Sequence, residues 1–217
     1  MTSTEPSLMA TKSAQAVHFF LHEAEHDSKS VDGSMYLKIV KLLWAADRFS
    51  LRYVGHSVTL DRYSALPHGP VASGSYNLIK ACAPTNGPST YVSHADAALW
   101  RNNFEVNGYS IHAVSGPDES LLSPADTVML ERAYSAFRSS GRFHVADDIS
   151  HIYPEWSRFA LQLQARRTSF PIDMEDFFLN PADAEDPYFR VEDDVLAASH
   201  YLYREQATLS KAVGMAL

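Results

Sequence analysis

The stretch Leu37–Lys80, LKIVKLLWAADRFSLRYVGHSVTLDRYSALPHGPVASGSYNLIK, constrains the fold more than any other part of the chain. Tyr36, Ile39, Val40, Leu43, Trp44 and Leu51, with Ser50 among them, recur at helical spacing and predict one long amphipathic helix. Asp32-Gly33 breaks the chain before it, Ser34 is placed to cap it, and Gly55 is placed to stop it. Val58, Leu60 and Tyr63–Leu66 read as short extended pieces. Pro70 then suits the first turn of a second helix carrying Tyr76 and Ile79, because the missing N–H costs nothing there.

Asp47 is the anomaly in this stretch. On the helical wheel it falls between Val40, Leu43 and Val54, where an unpaired carboxylate is either protonated or strongly destabilising. It is therefore expected to be a structural clamp. Its expected partners are backbone N–H groups or side chains of Tyr63–Pro70, or an arginine.

The rest of the chain reads as more helices around one small β element. A first helix is expected from about Ser13 to His26, with Val17, Phe20, Leu21 and Ala24 on one stripe. Another covers Ala95–Asn102. Phe104-Glu105-Val106-Asn107-Gly108-Tyr109-Ser110-Ile111 predicts a hairpin with a type I′ turn at Asn107-Gly108, since both residues tolerate positive φ. Ser123-Pro124 opens a helix running to about Ser140. Shorter helices follow over Val145–Ile152 and Glu155–Arg166, and a last one over Glu192–Val213. The fold class is α+β and predominantly α: a multi-helix globular domain with a small antiparallel β element. Residues 1–12 form a flexible start, 13–166 the domain, and 167–217 an acidic–aromatic connector and final helix packed on it.

With 217 residues, 46% of them hydrophobic, the chain can bury a substantial core. Its formal charge of -8 argues against direct nucleic-acid binding, which needs a basic footprint, and suits a basic protein partner. The single cysteine, Cys82, excludes an internal disulfide and reads as core filler. The first residues lack the pattern of a secretory signal, and no apolar run reaches the length of a membrane span, so a cytoplasmic protein is expected.

Two clusters carry the types of residue that bind metals. His22-Glu23-Ala24-Glu25-His26 matches H-E-x-x-H, in which two histidines one turn apart hold zinc and the glutamate activates water. The helix's core stripe turns His22 and His26 away from the interior, so the match reads as accidental. The alternative is a zinc hydrolase using His22, Glu23 and His26. His144, Asp147, Asp148 and His151 also fall at helical spacings, but Val145, Ile149 and Ile152 form a competing core stripe. No G-x-S-x-G elbow, Walker loop or G-x-G-x-x-G is present. No catalytic, cofactor-binding or metal-binding residue is assigned.

Between Phe170 and Asp194, acids alternate with aromatics. One reading is a solvated connector. The sharper one is a segment that docks on a basic partner, with Phe177, Phe178, Tyr188 and Phe189 as anchors and Asp173, Glu175 and Asp176 as steering charges.

In order along the chain, Lys41-Leu42-Leu43-Trp44-Ala45-Ala46-Asp47, Gly55, Tyr63-Ser64-Ala65 and His68-Gly69-Pro70-Val71 resemble the core pattern of the Panacea domain family, which includes socA-like and prophage-associated antitoxins. The Asn107-Gly108 hairpin, Leu122-Ser123-Pro124, Ser150-His151 and Pro154-Glu155-Trp156 resemble its C-terminal half. The similarity spans about Ser13 to Phe159, with Trp44 in place of the more usual tyrosine. It implies a non-enzymatic antitoxin of a bacterial or phage toxin–antitoxin pair, which neutralises a cognate protein toxin. Some members deliver the toxin to a protease as adaptors. Leu43, Trp44, Asp47, Gly55, His68, Gly69 and Pro70 would form the structural core of the motif, and no cofactor is implied. A regulatory interaction protein without a toxin is the further alternative.

Overall fold

The computed structural model describes residues 5–83, 91–166, 168–182 and 185–212. It is predominantly helical, with two small antiparallel sheets. Its axis is α2 (Tyr36–Val54), whose residues from Lys38 to Arg52 are all buried. α1 (Leu8–His26), α5 (Pro124–Phe137) and α8 (Asp193–Ala212) pack directly on it. Because neighbours enclose this helix, the amphipathic reading of its sequence understates its burial: Lys38, Lys41, Asp47, Arg48 and Arg52 are as covered as Leu43 and Trp44.

α1 begins five residues earlier than expected, because the Ser7 side chain accepts from Ala10 N and caps it. Ser34 does not cap α2. Met35 holds the N-cap position without a side-chain bond. The hairpin closes this end instead: Tyr36 N donates to the Tyr109 carbonyl at 2.9 Å and Ile111 N to the Ser34 carbonyl at 2.8 Å. The other end stops at Gly55, in the left-handed conformation.

Pro70 lies in a strand, not in a helix. β1 (Tyr63–Leu66) and β2 (Gly69–Ala72) pair antiparallel, with Ala65 opposite Pro70, and β5 (Phe170–Pro171) adds to the far side of β1. β2 is thus an edge strand, where a proline removes no ladder bond. α3 (Ser73–Ala81) starts afterwards, its first turn held by Asp61, which accepts from Gly74 N at 2.8 Å and Ser75 N at 2.7 Å.

α4 (His94–Asn103) leads into β3 (Phe104–Asn107) and β4 (Ser110–Ala113). The hairpin is where the sequence placed it, but Asn107 pairs with Ser110, so the loop residues are Gly108 and Tyr109. Only Gly108, the first of them, has positive φ (61°), which is the type II′ pattern and not type I′. Burial of Phe104, Val106 and Ile111 on one face fixes this register. α5 carries a capping box between Ser123 and Asp126. The expected helix over Val145–Ile152 is instead a π-helical turn, His144–Ile149, followed by a 3-10 turn, Ser150–Ile152. α6 (Pro154–Ser157) and α7 (Ala160–Arg166) complete this part.

The acidic–aromatic segment requires a correction. Phe177, Phe178 and Phe189 are 0%, 3% and 0% exposed, so they belong to the core and offer no surface to a partner. Phe189 packs tilted against Phe49 and edge-on against Trp44, with ring centroids 4.4 and 5.3 Å away. Asp176 is buried too and pairs with Arg158 at 2.8 Å. Glu175 is committed to His200 and Arg204 of α8. Tyr188 packs half-buried on Phe137, and Asp173 caps the 3-10 turn Met174–Phe178. Of the proposed anchors and steering charges, only Asp173, Glu175 and Tyr188 retain substantial surface. Arg48 and Arg52 of α2 hold the segment down by its backbone, a tie that no local sequence pattern shows.

Candidate partner-binding groove

The buried charges of α2 share one role: they satisfy polar groups of the irregular segments around the helix. Lys38 Nζ donates to the Phe137 carbonyl at 2.6 Å and also to that of Ser140, closing the C-terminal end of α5. Lys41 Nζ donates to the Pro70 carbonyl at 2.7 Å. Arg52 donates to the carbonyls of Phe189, Phe177 and Leu179 at 2.9–3.1 Å. Arg48 Nη2 donates a further bond to the Leu179 carbonyl at 3.0 Å. Burial lowers the Lys38 ammonium to about 8 and Arg52 to about 10, and pushes Lys41 well below the ordinary lysine range.

Asp47 is fully buried and accepts from Thr59 N at 3.0 Å, the Thr59 hydroxyl and the Tyr63 hydroxyl at 2.9 Å. Tyr63 lies in the expected segment; Thr59 precedes it. Desolvation raises the carboxyl above its usual range, while the three donors act in the opposite direction. Asp47 thus fastens α2 to the chain entering β1. Glu155 does the same for α6: its two oxygens accept from Trp44 Nε1 at 3.0 Å and Arg48 Nη1 at 2.7 Å. The sequence reading singled out Asp47 but missed Lys38, Lys41, Arg48 and Arg52. On the helical wheel they fall on the side opposite Val40, Leu43 and Leu51, so the sequence carried no signal for their burial.

Gly69 shows why the motif between β1 and β2 takes this form. Its φ is +89°, and a Cβ there would stand 2.2 Å from Ser150 Oγ, 2.5 Å from Lys41 Nζ and 2.9 Å from the Ala146 carbonyl. Only glycine lets the strand approach α2 and the π-helical turn together. Pro70 follows with its carbonyl on Lys41, and His68 stands at the surface with Nδ1 3.0 Å from Asp147 Oδ1.

Beside this turn opens an apolar groove of about 450 Å³. Val40 and Val71 lie among its apolar lining, with Leu66, Pro67 and His68 from the β1–β2 turn. Tyr36, Tyr76 and Tyr109 contribute aromatic lining, and Phe143 and Arg142 come from the segment before the π-helical turn. Tyr109 and Phe143 are 70% and 51% exposed, large aromatic surfaces at the edge of the groove. The motif's turn therefore builds one side of an open, largely apolar depression, the kind of surface that buries a partner's side chain.

The possible metal sets do not converge in this structure. His22 and His26 are exposed on α1 with ring centroids 4.5 Å apart, and His26 Nδ1 lies 2.8 Å from the His22 carbonyl. Glu23 lies beside them, half-buried. His144 pairs with Asp148 at 2.7 Å, Asp147 with His68, and His151 stacks on Trp156 with centroids 3.4 Å apart. Among the described residues, no group of three His, Cys, Asp or Glu side chains is placed to hold a metal ion. Nor is any helix there long and apolar enough to cross a membrane.

A predominantly helical domain of this kind, with a glycine-dependent turn beside an open apolar groove, has the form of an interaction module. The chain belongs to the family described as Antitoxin SocA-like, Panacea domain, whose sequence profile matches residues 39–157, more than half of its length. The match runs from within α2 to the end of α6 and so includes Asp47, Gly69 and Glu155. It supports a general antitoxin role with a protein partner, and its name points to no enzymatic chemistry. No curated protein and no solved structure matches the chain.

Proposed function

We propose that this protein is the antitoxin of a toxin–antitoxin pair and neutralises a cognate protein toxin by binding it directly. Membership of the Panacea family over residues 39–157 carries this reading. The groove beside the β1–β2 turn supplies a seat for the partner, because its apolar lining and exposed Tyr109 and Phe143 gain most from being covered. The chain's formal charge of -8 favours a toxin with a basic surface, whose approach it accelerates. The test is co-expression with the adjacent small reading frame. Growth rescue together with co-purification supports the proposal, whereas a toxic neighbour that is neither rescued nor bound overturns it. Toxin abundance in rescued cells separates two mechanisms: an undiminished level means masking, and a level that falls only while cellular proteases are active means delivery to a protease complex.

A further inference from the structure

A second depression, of about 570 Å³, adjoins the groove and is polar where the groove is apolar. The two meet where β4 is bonded to the start of α2. Tyr36 and Tyr109 line the groove, while Ser34 and Ile111, each two residues further along the chain, line the pocket. Two residues of extended chain span about 7 Å, so one partner segment laid across this junction covers both. His18, His22 and Glu25 form the pocket's α1 wall at spacings of four and three, which put them on one helical face.

His18 is 3% exposed, and its neighbours fix its tautomer. Asn103 Nδ2 donates to the Leu99 carbonyl at 2.7 Å, which leaves the amide oxygen for His18 Nε2, 3.1 Å away. The Ser115 hydroxyl donates to the same oxygen at 2.7 Å. An amide oxygen only accepts, so Nε2 carries the proton and Nδ1 presents a lone pair. Burial lowers the imidazole below its ordinary 6.5 and favours this neutral form. Nδ1 has no partner among the described residues, and neither has the exposed Glu25 carboxylate. The other ionisable groups of the lining are His22 and His112, both exposed; it holds no lysine or arginine.

We propose that this pocket receives a basic side chain of the partner, bound by the Glu25 carboxylate and His18 Nδ1, while an apolar side chain of the same partner fills the groove. A lone carboxylate and a lone imidazole acceptor call for N–H donors that carry positive charge. Lysine and arginine supply these and accept nothing in return. An apolar residue in the same place would cover the His18 acceptor without satisfying it, so the pocket discriminates by what it leaves unpaired. The contact gives the basic surface expected of a toxin a specific place to dock, beside its apolar anchor. The inference rests on the reading of the groove as the partner's seat.

The probes are fluorescent decapeptide pools with acetylated and amidated ends, randomised among uncharged polar and small residues. Each pool fixes one phenylalanine and one arginine, two to five residues apart. Matched pools carry lysine, or citrulline, the uncharged isostere of arginine. Fluorescence polarisation with the full chain is expected to show the arginine or lysine pools binding about five- to tenfold more tightly than the citrulline pools, the scale of a partly solvated ion pair with one added hydrogen bond. Glu25→Gln should shrink that ratio at an unchanged melting temperature, because the side chain is exposed. Phe143→Ala should weaken every pool and leave the ratio as it was. Long-range proton–nitrogen NMR of the wild-type chain needs no variant: His18 Nδ1 should resonate as an unprotonated nitrogen and shift when the arginine pool binds. Equal binding of basic and citrulline pools overturns the proposal, as does failure of every pool to bind. An unchanged ratio in Glu25→Gln or a protonated Nδ1 overturns it as well. Rescue by the wild-type chain is scored in parallel. Intact rescue with no preference for basic pools refutes the role of this pocket alone, whereas failed rescue refutes the antitoxin reading whatever the peptides show.

Discussion

Arg48 and Glu155 form an ion pair at 2.7 Å in which neither side chain is exposed, 107 residues apart in sequence. Trp44 shares the same carboxylate at 3.0 Å, and the Arg48 guanidinium also lies 4.2 Å from the Tyr153 ring centre. This cluster joins α2 to α6, so the two halves of the family match meet in one desolvated polar knot.

Removing one partner of such a pair leaves a buried charge without compensation. Glu155→Ala should lower unfolding stability by about 3–5 kcal/mol, and Arg48→Met combined with Glu155→Leu by clearly less. Urea unfolding of the single and double variants measures the difference. Equal losses would mean that the charges are not buried as a pair.

Asp47→Ala should cost about 2–3 kcal/mol, since it orphans the Thr59 N–H in the interior and leaves the Tyr63 hydroxyl only the longer bond to the Leu43 carbonyl at 3.3 Å. Partner affinity per folded molecule should stay as in the wild type. An unchanged melting temperature with lost binding would instead make Asp47 a contact residue.

Gly69→Ala combines a left-handed backbone with contacts too short for any Cβ. A loss of about 3 kcal/mol or more is expected, or failure to fold. A variant melting within a degree of the wild type would show that β2 can withdraw from Ser150 and Lys41 at little cost.

His22→Ala with Glu23→Gln should change stability by no more than about 0.5 kcal/mol and leave neutralisation intact, because these side chains lie on the outer part of α1. Elemental analysis of the purified wild type provides the control. Stoichiometric zinc lost together with activity in the double variant would restore the hydrolase reading.

His151 supplies a pH dependence. Burial, with the Lys41 charge nearby, lowers its imidazole to about 4 from an ordinary 6.5. Between these values the unfolded chain holds the proton and the native chain does not, so stability falls as pH drops from 6.5 toward 4. With the side chain 22% exposed, the effect is about 1–2 kcal/mol. His151→Phe, which keeps the stack on Trp156, should flatten that part of the profile. Parallel profiles for the two proteins would place the acid sensitivity elsewhere.

Local signals carried much of the architecture. Helical periodicity placed α1 and α2; the Ser123-Pro124 cap fixed the start of α5; Gly55 ended α2; and Asn107-Gly108 marked the hairpin. Each depends on residues within a turn or two of one another, where backbone sterics and capping bonds decide the outcome. The order of motifs was enough to indicate the family. Tertiary structure decided where the chain uses its charges. Lys38, Lys41, Arg48 and Arg52 look like the solvated side of a helix until five surrounding segments close over them and offer carbonyls and a carboxylate. Pro70 became a strand residue because β1 lay beside it. Phe177, Phe178 and Phe189 became core because arginines more than a hundred residues earlier held their backbone down. A desolvated charge binds whatever acceptor the fold delivers, and that acceptor is distant in sequence, so no local pattern can name it.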